Sequence, residues 1–231
     1  IKPREHQLLP VHYLYSDDNR KGILINHGVG TGKTYLSIFF TELYEKRKVI
    51  IIGPSYLEAG WLNSLEDFPV KDISRYKFIS YDKAPEAVLK ENLSESILIL
   101  DEAHNLTKYL TSHNEKKRSR YTDLYLNLYK SYKILALTAT PIQNDESDLA
   151  YLINLVQGEE VIPVNKERFR LGYTQIIKNR AFWRGQISES LLVQNVVALT
   201  GVAKMLGFLL FVPSAIGITA VSYTHLRAHE T

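Results

Sequence analysis

The sequence predicts an α/β fold: a mostly parallel sheet flanked by helices on both faces, followed by a short C-terminal appendage. Three observations predict it. Short runs rich in isoleucine, leucine or valine recur between residues 22 and 137 without strict alternation, which is how strands covered on both faces read. Segments of helical length separate these runs, the pattern of a parallel sheet. The polar motifs fall at the carboxyl ends of the runs, where ligands bind in such folds.

The first element is a short amphipathic helix within residues 1–21, carrying Val11, Tyr13, Leu14 and Tyr15 and closed by the polar turn Ser16–Lys21. Gln7 lies in it, about twenty residues before a glycine-rich loop. Its amide offers a donor and an acceptor that could read an adenine edge; an ordinary surface glutamine is the alternative. The strand Gly22–Asn26 then runs into His27-Gly28-Val29-Gly30-Thr31-Gly32-Lys33-Thr34, and a helix is predicted over Lys33–Arg47. Strand, glycine-rich turn and helix form the context of a phosphate-binding loop. Glycines allow positive φ and a close approach of backbone N–H groups to phosphate oxygens. The helix N-terminus adds partial positive charge. Lys33 is expected to reach the β- and γ-phosphates, with the Thr34 hydroxyl on magnesium. His27 stands where the strict motif has glycine; Gly28, Gly30 and Gly32 leave the turn its freedom.

Further strands are predicted over Lys48–Gly53, Tyr76–Ser80, Ser96–Leu100 and Lys133–Leu137, with helices over Tyr56–Leu65, Pro85–Glu91 and Arg120–Lys130. The fourth strand ends in Asp101-Glu102-Ala103-His104. Two carboxylates at the end of a buried strand suit a hard cation: Asp101 can hold magnesium, directly or through water, while Glu102 orients and deprotonates an attacking water. The fifth strand ends in Thr138-Ala139-Thr140-Pro141, whose hydroxyls could link nucleotide state to a neighbouring surface; a Ser/Thr turn closed by proline is the plainer alternative.

Composition narrows the class. With 45% hydrophobic and 23% charged residues the chain has a globular make-up. No cysteine is present, which excludes a disulfide scaffold and cysteine-ligated zinc or iron–sulfur sites. A net charge of +3 is too small to argue for nucleic acid by itself. The first residues contain no apolar signal-peptide core, and without an initiator methionine the natural start is expected upstream.

Together, Gly28–Thr34, Asp101–His104 and Thr138–Pro141 resemble motifs I, II and III of the superfamily 2 helicases and translocases, including their DEAH-box form. Smaller stretches agree in order: Arg4–Gln7 before the first strand, Ile50–Ser55 to Trp61, Phe78–Tyr81, and Ile142–Asp145. Leu24–Thr34 is most similar to the Snf2-like and large-DNA-virus branch, which includes the poxvirus nucleoside triphosphatase I and early transcription factor families. The resemblance covers roughly residues 1–160 and implies a RecA-like first lobe that uses ATP and Mg2+ to drive movement on nucleic acid, DNA ahead of RNA. It implies adenine recognition by Gln7, nucleotide contacts along Gly28, Val29, Gly30, Thr31, Gly32, Lys33 and Thr34, and metal and water chemistry at Asp101 and Glu102. His104, Thr138 and Thr140 would couple hydrolysis to motion. A cytoplasmic location follows, in a viral factory or virion if the origin is viral.

Family members carry a second RecA-like lobe whose arginines complete the ATP site. No second series of buried strands and no glutamine-glycine-arginine motif follows residue 160. Such an arginine is worth about 10³–10⁵ in rate, so the chain alone is expected to hydrolyse poorly. Three regions are expected: the ATP-binding domain over 1–160, a partial region over 161–219, and a non-native read-through tail over 220–231, including Val221–Thr231.

Two basic stretches, Glu115–Arg120 and Lys166–Arg184 with Phe169, Tyr173, Phe182 and Trp183 interleaved, could contact phosphates and stack bases or simply form solvated faces. Met205–Ser222 spans eighteen uncharged residues, the minimum for a membrane helix, but its glycines and Pro213 favour a packed apolar hairpin or helix, so a membrane partner is not expected. The leading expectation is the ATP-binding lobe of a nucleic-acid-dependent ATPase. A non-catalytic nucleotide-binding scaffold or sensor is the rival, and a membrane-associated ATPase a distant third.

Overall fold

The computed structural model describes residues 5–28, 30–142, 145–173, 211–214 and 217–220. Its centre is a sheet of five parallel strands, β1 (Gly22–Asn26), β2 (Lys48–Gly53), β3 (Tyr76–Ser80), β4 (Ser96–Leu100) and β5 (Lys133–Thr138), in the order β3-β2-β4-β5-β1. Beyond β1 the sheet continues as an antiparallel hairpin, β6 (Phe211–Ser214) and β7 (Gly217–Ala220), joined to it in parallel at Ile25 and Phe211. Part of the apolar stretch read from the sequence is therefore a hairpin, and no helix among the described residues is long and apolar enough to cross a membrane.

Because strand side chains alternate between faces, each apolar run serves two cores. Leu24, Ile50, Ile52, Leu98, Leu100, Ile134 and Ala136 face one, covered by α4 (Ala84–Ala87), α5 (His104–Leu110), α6 (Glu115–Leu128) and α7 (Asp148–Gln157). Ile23, Ile25, Val49, Ile51, Ile97, Ile99, Leu135 and Leu137 face the other, covered by α1 (Glu5–Tyr15), α2 (Lys33–Glu42) and α3 (Glu58–Asp67). This two-sided cover explains why the strands lack strict alternation in sequence.

Helix boundaries differ from the sequence reading for identifiable reasons. The helix after the glycine-rich loop ends at Glu42 rather than Arg47. Arg75, almost buried, donates to the carbonyls of Thr41, Tyr44 and Arg47 and pairs with Glu42, so a distant side chain closes the helix end. Helix α6 starts five residues before the predicted Arg120. The Asn114 side chain accepts the Lys117 N–H at 3.0 Å, a helix N-cap. The first basic stretch is thus the exposed opening of α6, where Arg120 pairs with Glu86 and Lys117 lies over the Tyr109 ring.

The second basic stretch begins on α8 (Lys166–Tyr173). There Lys166 and Arg170 pair with Asp145, and Phe169 is buried in the core rather than displayed for base stacking. Lys178, Arg180, Phe182, Trp183 and Arg184 lie outside the described residues.

Candidate nucleotide site

The sheet order sets β5 between β1 and β4, so three strand ends carrying three motifs lie side by side. The His27 N–H donates to the Thr138 carbonyl at 3.1 Å, which pins the start of the glycine-rich loop to the end of β5. Gly30 and Gly32 have φ of 76° and 81°, the left-handed region that costs other residues about 1–2 kcal/mol. A Cβ on Gly32 would lie 2.4 Å from Gln7 Nε2. That amide donates to the Gly32 carbonyl at 3.2 Å and reaches the Thr31 carbonyl at 3.4 Å, so α1 braces the loop from behind.

Lys33 Nζ donates to the carbonyls of His27 and Gly28 at 2.9 and 3.1 Å, and the Thr31 hydroxyl donates to Gly28 at 2.8 Å. The loop is therefore wrapped around its own lysine. Thr34 stands in the first turn of α2, which contains no acidic residue to neutralise the helix's positive end. Val29 lies outside the described residues.

At the end of β4, Asp101 is 7% exposed. Its Oδ2 accepts the indole N–H of Trp61 at 2.9 Å and its Oδ1 accepts the Glu102 N–H at 3.0 Å. Burial pushes the Asp101 carboxyl above its usual range, the Trp61 donor opposes this, the Glu102 charge adds to it, and the Lys33 ammonium pulls it down. With β5 flanked by β1 and β4, the loop that carries Lys33 and the strand end that carries the acidic pair lie on either side of one strand.

Glu102 is the one non-glycine residue with positive φ (50°) among the described residues. Such strain persists only where the surroundings enforce it. Here the Ala103 N–H docks on the Leu137 carbonyl at 2.8 Å, and the Glu102 carbonyl accepts from the Asn105 backbone and side chain at 2.9 and 3.0 Å. Tyr81, fully buried, donates to the Asp101 carbonyl at 3.1 Å.

His104 Nδ1 lies 3.0 Å from Thr138 Oγ1, 3.4 Å from Thr140 Oγ1 and 3.3 Å from Glu102 Oε2. Burial first, and the nearby Lys108 second, lower the His104 pKa, which favours the neutral ring. A carboxylate only accepts hydrogen bonds, so a bond to Glu102 requires hydrogen on Nδ1. One imidazole thus bridges the end of β4 and the end of β5.

Asp101 and Thr34 offer a carboxylate and a hydroxyl, a sparse oxygen donor set suited to a magnesium ion that keeps waters and nucleotide oxygens as further ligands. The sequence reading named Trp61 and Tyr81 as parts of motifs but gave neither a role. Both reach Asp101 from elements 20 to 40 residues away, and no local pattern announces such a contact.

The strand order and the helices on both faces define a RecA-like lobe. The SNF2-related domain family matches residues 73–170. A candidate ATP-dependent RNA helicase of Acanthamoeba polyphaga mimivirus is 32% identical over 169 residues, covering 72% of this chain and 35% of that protein. A termination factor NPH-I homologue of African swine fever virus is 31% identical, covering 70% of this chain and 26% of that protein. Nucleoside triphosphatase I of Choristoneura fumiferana entomopoxvirus is 29% identical, covering 60% and 24%. The chain thus spans about a quarter to a third of the length of these curated relatives.

Among solved structures, the Sulfolobus solfataricus SWI2/SNF2 ATPase core in complex with double-stranded DNA shares the fold, with a TM-score of 0.56 at 19% identity over 75% of this chain and 39% of that one. In its motifs, its viral relatives and its fold the chain is similar to the N-terminal lobe of the superfamily 2 helicases and translocases.

Proposed function

We propose that this lobe binds magnesium-ATP and, paired with a second RecA-like lobe, couples its hydrolysis to movement on nucleic acid, with DNA ahead of RNA. The observation that carries the proposal is the convergence of Lys33, the Asp101–Glu102 pair and the His104–Thr138–Thr140 cluster at neighbouring strand ends.

In this reading Lys33 exchanges its two loop carbonyls for β- and γ-phosphate oxygens, and the N–H groups of Gly28–Thr34 follow the phosphates. Gln7 reads the adenine through its Oε1 acceptor while its Nε2 braces Gly32. Thr34 and Asp101 hold magnesium, which when bound neutralises charge on the phosphates. Glu102 orients the attacking water and accepts its proton. Its contact with His104 links that carboxylate to Thr138 and Thr140, so a change at Glu102 is felt at the end of β5. The viral relatives favour a viral origin, and with it action in a viral factory or virion.

The test is magnesium-ATP hydrolysis with and without single-stranded and duplex nucleic acid. It compares this chain with a version continued into a relative's second lobe, using Glu102→Gln as the control. Turnover confined to the extended protein, stimulated by nucleic acid and lost in the control, supports the motor reading. Binding without hydrolysis in both versions supports a nucleotide-binding scaffold or sensor instead.

A further inference from the structure

Resting on the magnesium–nucleotide reading above, we propose that Trp61 is a positioning residue for Asp101, its indole N–H fixing the rotation of the carboxylate so that the ligand oxygen is set before the metal arrives. Trp61 lies on α3, 2% exposed, and packs in the same core as Ile51, Ile99 and Leu65. Its indole has one polar hydrogen, which goes to Asp101 Oδ2 at 2.9 Å in a buried setting.

Asp101 is constrained on its other sides as well. Its N–H donates to the Ile52 carbonyl at 2.8 Å, and its Oδ1 accepts the neighbouring Glu102 N–H. A Cβ added to Gly53 would come within 3.5 Å of the Asp101 Cβ, so the end of β2 walls the side chain. Backbone and Cβ are therefore held by the sheet, while the rotation of the carboxylate about its last bond is held at one oxygen by the Glu102 N–H and at the other by a donor from a helix outside the sheet. Partners of this kind orient a metal ligand, and losing one typically weakens metal binding or activity by about 10–100-fold.

A merely structural role would satisfy the indole N–H without consequence for the metal. The two roles separate when the N–H is removed at constant shape. In a Trp183→Phe background, Trp61 is replaced by the isosteric analogue bearing sulfur in place of the indole N–H, and in parallel by phenylalanine. Mn2+ is the probe, its binding with ATP followed by electron paramagnetic resonance, alongside metal-free ATP binding and the urea midpoint.

The expected result is Mn2+ affinity lowered about tenfold or more in both variants. Metal-free ATP binding stays unchanged, and the analogue's urea midpoint stays near that of its parent. Unchanged Mn2+ affinity in the analogue overturns the proposal and leaves the nucleotide reading standing. Failure of the parent itself to bind Mn2+ with ATP overturns that reading and this proposal with it.

Discussion

Replacing Gly32 by alanine perturbs the point where α1, the glycine-rich loop and α2 meet. Gly32 holds φ at 81°, a left-handed conformation costing an alanine about 1–2 kcal/mol. The new Cβ also lands 2.4 Å from Gln7 Nε2. Since that atom is the end of a flexible side chain, Gln7 swings away rather than forcing the backbone, and its bonds to the Gly32 and Thr31 carbonyls are lost. The 3.2 Å bond contributes about 0.5–1.5 kcal/mol and the long 3.4 Å contact little, so Gly32→Ala should cost about 1.5–3.5 kcal/mol. In a Gln7→Ala background only the φ cost remains, and the same substitution should cost about 1–2 kcal/mol. Urea unfolding of the four proteins of this cycle measures both figures. Equal cost in the two backgrounds would refute the brace between Gln7 and the loop. A Gly32→Ala protein as stable as the parent would refute the whole reasoning about this turn.

Three further outcomes follow from other parts of the structure. Arg75→Met strands the Glu42 carboxylate and three carbonyls at the end of α2, and should cost about 3–5 kcal/mol in urea unfolding; a loss below 1 kcal/mol would contradict the buried-cap account. Burial alone would raise the Glu42 pKa, but hydrogen bonds from the Lys71 N–H, Arg75 and Tyr76 hold it below its ordinary 4.5. The stability this adds is present above pH 4.5 and is lost as pH falls through the lower folded value. Unfolding free energy measured against pH should therefore fall less steeply below pH 4.5 in Glu42→Gln, and an unchanged slope would count against the pair. Glu102→Gly relieves the strain of φ 50° and should leave stability within about 1 kcal/mol of the parent, in either direction. It should still abolish nucleic-acid-stimulated turnover in the two-lobe protein, since the carboxylate is gone.

The strands were legible because burial on both faces demands unbroken apolar runs, and each predicted strand lies within one residue of its observed bounds. The loop and the two strand-end motifs were legible because their chemistry needs particular residue types at fixed local spacing. Helix ends were not. What stops α2 is Arg75, more than thirty residues later, and what starts α6 is Asn114, overshadowed in sequence by the basic run behind it. Helix α5 escaped notice because it begins inside a motif read for its chemistry, at His104. The support around Asp101 was equally hidden: Trp61 and Tyr81 look like core aromatics, and only the folded positions of α3 and of the turn after β3 bring their polar atoms to it. Phe169 shows the converse, an aromatic among basic residues that is core.

The most direct test of the account is equilibrium binding of ATP with magnesium to this chain, compared with Lys33→Ala and Asp101→Asn. The account predicts saturable binding by the parent, strong loss in Lys33→Ala with or without metal, and loss in Asp101→Asn only of the part that magnesium contributes. Binding that is indifferent to both substitutions would contradict the assignment of the site.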